Sequence, residues 1–351
     1  MEPIVLDTQL QPVALLDVYS SFVWADRYVG MSDFELALPF DKALLPVIQE
    51  GYYIQQPMSD NTMIIETLAI RTDLDDGPQL LASGRCLKSI LDRRIVWGKT
   101  ISSSNLDYSV RQLLNANILA PLLPERTVPN FVFPASTDSR VLSTIVDDEF
   151  FAESLLEAID RLCDPEMIGS KIVFNDANQF EFSLYSGRDR SYDSLTDSFV
   201  VFSPDYENLR NSEYVTSKAG LKNAALIVGE EVDGVNRTAT VGNTSGLARR
   251  EIAVQATDVK SGVEPPTPPP SVYFAILQRR GEAVLDKTAL VEGFSGEVDS
   301  TQMFVYGQDF FLGDIVQVEN EYGLVGTSRV TEVIFSSDAS GNLVTPTFIS
   351  V

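Results

Sequence analysis

Asp33-Phe-Glu-Leu-Ala-Leu38 alternates residue by residue, with Phe34, Leu36 and Leu38 on one side and Asp33, Glu35 and Ala37 on the other. A period of two marks a half-buried β-strand, because successive side chains leave opposite faces of the pleat. Working outward, Thr62 to Ile70 is rich in β-branched residues, and Thr72-Asp-Leu-Asp-Asp-Gly-Pro78 has the composition of a turn, so residues 62–83 read as a hairpin. Ser83 offers an N-cap to a short helix near Arg85 to Arg94, where Leu87, Ile90 and Leu91 fall at i, i+3 and i+4. The first hundred residues are therefore expected to form a β-rich domain closed by a helix.

Beyond residue 100 the periodicity becomes helical. Val110, Leu113 and Leu114 mark one apolar face; Phe151, Leu155, Leu156 and Ile159 mark a longer one, with Asp147 and Asp148 as capping candidates and Pro165 and Gly169 as its stop. Lys171 to Phe174 and Gln179 to Tyr185 read as strands around the turn Asn175-Asp-Ala-Asn178, which makes 101–195 an α+β unit. The polar stretch Gly187 to Leu209 suggests a boundary. Residues 196–351 then read as short strands (Ala224 to Val228, Thr238 to Val241), a stiff proline-rich linker at 264–270, a helix at about 272–287 capped by Ser271, and strands near Met303 to Tyr306, Asp314 to Val318, Ser328 to Phe335 and Leu343 to Phe348. Asp338-Ala-Ser-Gly341 is the last hairpin turn. The expected domains are thus 1–100, 101–195 and 196–351, in keeping with 351 residues of which 44% are hydrophobic.

Histidine is absent, which removes Ser-His-Asp and Cys-His catalysis and imidazole metal sites together. The 50 acidic and 26 basic residues give a net charge of -24, unfavourable for ordinary binding to nucleic acid. Divided at residues 100 and 195, the segments carry -6, -8 and -10, so the acidity reads as a property of every surface. Cys86 and Cys163 form no CxxC pair and read as buried small hydrophobes, with one disulfide left open. Residues 1–11 lack the basic start and apolar run of a signal peptide, and no stretch reaches 18 apolar residues, so a soluble, unprocessed chain without membrane insertion is expected.

The motifs that could carry chemistry fail on spacing. Gly98-Lys99-Thr100 ends like a phosphate-binding loop, but its first glycine would fall on Arg93. Asp73, Asp75 and Asp76 precede Gly77 like a calcium loop, yet the glycine comes one residue early and the twelfth position is Gly84; turn chemistry explains them better. Asp147, Asp148, Glu149, Glu153 and Glu157 are the densest acids, and Glu149, Glu153 and Glu157, four apart, are expected on one solvated helix face rather than across a glycosidic bond. Ser295 lacks both the glycine spacing of a nucleophile elbow and an activating histidine. Trp24, Tyr28 and Phe34 could stack on a sugar but read as core aromatics in an alternating region. No catalytic, cofactor-binding or metal residues are expected.

At Val18-Tyr-Ser-Ser-Phe-Val-Trp-Ala-Asp-Arg-Tyr-Val-Gly30, followed by 33–38, the sequence resembles the opening of the siphovirus ReqiPepy6 Gp37-like family of phage tail proteins. Gly84-Arg-Cys-Leu-Lys-Ser-Ile-Leu-Asp-Arg-Arg-Ile95, Leu247-Ala-Arg-Arg-Glu251, Tyr306-Gly-Gln-Asp-Phe-Phe-Leu-Gly-Asp-Ile-Val316 and Arg329-Val-Thr-Glu-Val333 are similar to its later elements. The resemblance implies Trp24, Arg27, Tyr28, Gly30, Gly84, Arg93, Arg94, Gly313, Asp314 and Arg329 as structural signature residues. It also implies two β-barrel-like hub domains, 1–100 and 196–351, open to an exchange of strands between them, with the α+β unit outside the ring. By the same resemblance the chain would be a non-enzymatic hub subunit at the tail tip of a virion, assembled in the host cytoplasm. It would form a homotrimer, contact a distal tail or tube protein and tip or fibre proteins, and meet DNA only in transit and without sequence preference. Two rivals stand beside it: a carbohydrate- or receptor-binding tail protein using Trp24, Trp97 or exposed tyrosines, and a glycoside hydrolase using the acids at 147–157.

Overall fold

The computed structural model describes residues 1–73, 77–259, 270–288, 291–298, 303–339 and 341–351. Asp75 and Asp76, linker residues 264–269 and Ser340 of the last turn lie outside the described residues, as do the side chains of Asp73 and Ser295. The protein is mainly β, with 42% strand and 19% helix. Its contacts divide it into two units, Met1–Glu213 with Phe294–Val351, and Tyr214–Gly293.

In the larger unit the strand Asp33–Pro39 is central, as its alternation requires. Phe34, Leu36 and Leu38 are buried, and their strand pairs antiparallel with Ser21–Arg27 on one side and Gly77–Cys86 on the other. The expected hairpin is present as Thr62–Asp73 with Gly77–Cys86, but it runs three residues beyond Ser83. Asp33↔Arg85 and Met63↔Cys86 pairing engages that backbone in strands, so Ser83 caps nothing and the expected helix shrinks to Ser89–Asp92.

The sheet is completed from the other end of the chain. Val325–Asp338 pairs with Ser21–Arg27, setting Phe335 opposite Trp24, and also with Ile315–Glu319 and Gly341–Ser350. Phe22, Trp24, Phe34, Val333, Phe335 and Phe348 share one buried cluster. The stretch read as a boundary is stitched into the same sheet, since Asp189–Arg190 and Val201–Phe202 both run parallel to Ile315–Glu319. Strands between Ile4 and Cys86 form seven consecutive neighbours of this sheet, and the C-terminal segment extends it at Ser21–Arg27. The path through ten of the twelve strands starts at Asp189–Arg190 and ends at Pro12–Leu15, with Val201–Phe202 and Gly341–Ser350 branching from it, an open sheet rather than a closed barrel.

The α+β region carries a second core within this unit. Helix Leu106–Leu114 buries Leu106, Val110, Leu113 and Leu114 against Leu155, Ile159 and Leu162 of helix Leu155–Cys163, over the hairpin Gly169–Phe174 and Phe180–Tyr185. Asn175 closes that hairpin through its own side chain, accepting from the amides of Ala177 and Gln179. Asp147 and Asp148 are not helix caps. Ile145–Phe150 is a strand paired with Thr100–Asn105, with Val146 and Phe150 buried at an even spacing, and the helix is capped by Ser154. Cys86 and Cys163 are both free and buried, and burial pushes both thiols up.

The smaller unit is a three-stranded sheet under one helix. Ala224–Val232 pairs antiparallel with Val235–Val241 and parallel with Glu251–Gln255. The helix expected at 272–287 is Pro270–Lys287, so Ser271 lies inside its first turn and Pro270 opens it, as its fixed φ allows. Tyr273 and Leu277 pack on Ala225, Ile227 and Ala239. The helix approaches so closely that a Cβ on Gly281 would stand 2.5 Å from Ile227 Cδ1.

Candidate functional site

Four of the ten signature residues meet in one buried knot. Tyr28 follows the strand Ser21–Arg27, its ring has no exposed surface, and it stands edge-on to Tyr185 with centroids 5.4 Å apart. Its hydroxyl donates to the carbonyl of Met167 at 2.8 Å. Two glycines clear space for the ring: a Cβ on Gly169 would lie 2.6 Å, and one on Gly313 2.4 Å, from a Tyr28 ring carbon. Gly313 also has φ +88°, a left-handed backbone that side chains disfavour. A third glycine, Gly187, faces the backbone of Gly313, where a Cβ would be 1.8 Å from the carbonyl oxygen.

Charge is placed inside this packing. Arg329 is 4% exposed; its Nη1 donates to Gly313 O at 2.7 Å, and its guanidinium carbon stands 5.9 Å from the Tyr28 ring centroid. Burial holds the Arg329 guanidinium below its ordinary value. Asp314 Oδ1 accepts from the Arg188 amide at 2.7 Å, while Oδ2 accepts from Arg190 Nε at 2.7 Å and the Phe311 amide at 3.0 Å. A buried carboxylate with this many donors is well satisfied, and removing one partner would leave an uncompensated charge. The knot therefore fastens the 167–190 segment to the sheet strands at 28 and 313–330. Gly169, Tyr185, Gly187 and Arg190 complete it. Nothing in their local pattern singles them out, because Gly169 also reads as a helix stop and Gly187 as a loop.

The other signature residues do not join the knot. Trp24 is fully buried and donates from Nε1 to Asp26 Oδ1 at 2.8 Å; Asn61 Nδ2 donates to the same oxygen at 2.7 Å. Burial pushes the Asp26 carboxyl up, against the hydrogen bonds from Ser59, Asn61 and Trp24. Arg27 clamps adjoining strands through Glu332 at 2.7 Å and Asp33 at 2.5 Å. Gly30 turns the chain at φ +95°, and Gly84 lies where a Cβ would be 1.8 Å from Ile64 O, beside the bulge at Ile65/Thr67. Arg94 donates to the carbonyls of Arg93 and Arg126, and the Arg93 side chain is exposed. Apart from the exposed Arg93, these residues hold backbone or neighbouring strands in place.

The rival sites come apart in three dimensions. Glu149 lies in a strand, Glu153 precedes the helix and Glu157 lies in its first turn, so they share no helix face. Asp148 and Glu153 both pair with Arg161, at 2.8 and 2.6 Å, and Glu149 pairs with Lys99 at 2.8 Å. Carboxylates gathered on one cation do not flank a bond. Trp24 and Phe34 are in the core; Trp97 is 55% exposed, with the Arg126 guanidinium 4.9 Å from its ring centroid. Two hollows of about 500 and 570 Å³ are wide open, one by Lys99 and Gln112, the other by Asp138 and Ser186. Among the described residues no cluster of acids or cysteines has the make-up of a metal site, and no helix is long and apolar enough to cross a membrane.

Solved tail proteins share this fold. The 43 kDa tail protein of prophage MuSo2 from Shewanella oneidensis is 12% identical with a TM-score of 0.63, covering 99% of this chain and 98% of that one. A tail protein from Neisseria meningitidis MC58 is 11% identical at 0.59, covering 100% and 96%. Prophage tail protein gp18 from Listeria monocytogenes EGD-e is 13% identical at 0.56, covering 99% and 94%. No curated protein matches the chain. The model of the family described as Siphovirus ReqiPepy6 Gp37-like protein matches residues 2–348, so the chain belongs to that family.

Proposed function

We propose that the protein is a structural subunit of a phage tail, a hub at the tail tip that works as a homotrimer, continues the tail tube and gives other tail proteins a docking platform. The observation that carries this reading is the end-to-end agreement of its fold with a prophage tail protein, 99% of one chain on 98% of the other. The packing fits a part that transmits force: strands from both ends of the chain form one sheet, and the Tyr28 knot locks the α+β region to it through close backbone contacts and a buried ion pair. Such contacts resist relative motion, because close-packed interiors do not deform gradually.

DNA passes such a hub in transit. The unit formed by Met1–Glu213 and Phe294–Val351 holds 41 acidic and 17 basic residues, and an acidic wall lowers the residence of a polyanion on it. Native mass measurement of the full chain tests the assembly. A species of three times 38.7 kDa is expected, and a chain that stays monomeric in the assembled tail defeats the reading. The purified protein is expected to leave peptidoglycan intact. Cleavage that disappears in Glu153→Gln would restore the glycosidase.

A further inference from the structure

Leu247-Ala-Arg-Arg-Glu251 resembles a family element, yet it contributes nothing to the core. Leu247 is fully exposed, and Arg249, Arg250 and Lys218 are exposed around it. The loop is nevertheless held in a fixed shape. Asn223 donates from Nδ2 to Ala248 O at 2.8 Å and accepts the Arg250 amide at 2.8 Å. Arg249 donates to Thr244 O at 2.9 Å and to Glu251 at 2.6 Å, and Arg250 donates to Lys218 O at 3.1 Å. Gly242 enters the loop at φ +85°, where a Cβ would stand 2.1 Å from Asn223 O. Leu247 buries no apolar surface within the isolated chain, so a partner that covered it would gain the area it now exposes.

The charge around the tip is equally distinctive. The unit Tyr214–Gly293 contains nine acidic and nine basic residues and is neutral, whereas the rest of the chain carries the entire -24. Arg249, Arg250, Lys218 and Lys222 gather at one end of the small sheet, with Glu251 as the acid paired there. Exposed arginines beside an apolar side chain suit a partner surface, the guanidinium groups through charge-assisted hydrogen bonds and the leucine through the apolar area it would bury.

We propose that the 242–251 loop, with Lys218 and Lys222, is a docking knob whose occupant is the acidic unit of a second copy of this chain. Charge complementarity selects it: a partner bearing -24 attracts the cationic knob, while two acidic units facing each other repel. The inference rests on the self-assembly in the proposed function and names the surface that drives it.

Sedimentation of the full chain in 50 and 500 mM salt, for wild type and for the double variant Arg249→Glu/Arg250→Glu, tests it. Self-association is expected to weaken in high salt and to fall at least about tenfold in the variant at low salt. Leu247→Asp should act in the same direction, and circular dichroism of both variants should match wild type. A variant that associates as well as wild type overturns the knob while leaving the trimer standing. A wild type that never associates defeats the assembly reading itself. A 30-base-pair duplex bound by wild type and lost in the variant, or a salt-linked change of shape at constant mass, would give the knob another occupant and overturn the proposal.

Discussion

The two units solve the same problem with opposite resources. The larger one carries 41 acidic against 17 basic residues, a repulsive surface that works against its own compactness, and balances it with long strand pairing and two extensive cores. The smaller one is neutral over 80 residues and folds three strands and a helix around a small core of Ala225, Ile227, Tyr273 and Leu277. The difference teaches that net charge read along the chain conceals its distribution in space. Division at residues 100 and 195 spreads the acidity almost evenly, because the neutral unit lies inside a segment whose flanks belong to the acidic one.

Close packing should separate the units most strongly. Gly84→Ala in the acidic unit drives a Cβ into backbone and should cost more than about 4 kcal/mol, whereas Gly281→Ala in the neutral unit meets the flexible end of Ile227, gains helix propensity and should stay within about 2 kcal/mol. Urea denaturation measures both; equal losses would break the contrast. Tyr28→Phe keeps the ring in its glycine-lined slot and removes the donor to Met167 O, for an expected loss of about 1–2 kcal/mol in the same assay.

Acidity within the core gives a pH signature. The Asp26 carboxyl is held above its ordinary 3.8 by burial, so its contribution to stability is fully present below that pH and is lost as pH rises through the folded value. Asp26→Asn keeps acceptors for Trp24 and should gain on wild type as pH is raised from 3 to 7; a difference that stays flat across that range would refute a raised Asp26. The smallest effect should come from salt. Screening should raise the stability of the acidic unit slightly and leave the neutral one unchanged, as site-resolved hydrogen exchange at 50 and 300 mM salt would report.

Much of the local structure was legible. The alternation at 33–38, the 62–83 hairpin, the Asn175 turn and the helix at 272–287 all stand where their periods and turn residues put them, because those signals come from neighbours in the chain. Two readings were overridden by pairing partners far away. Ser83 lost its cap to a strand flanked on both sides, and Asp147 and Asp148 became strand residues opposite Thr100–Asn105. The signature residues were visible as residue types, but their convergence was not, since Tyr28 meets Gly169, Gly313 and Arg329 across some 300 positions.

The sequence by itself determined the missing imidazole chemistry, the β-rich character and the family, for these depend on which residues are present and on their short-range order. Tertiary structure alone decided that the last strands complete the first sheet, that Arg161 takes Asp148 and Glu153 while Lys99 takes Glu149, and that all the net charge falls on one unit. The physical reason is common to the three. Strand register, ion pairing and the grouping of charge depend on which surfaces meet, and no local periodicity encodes a partner hundreds of residues away.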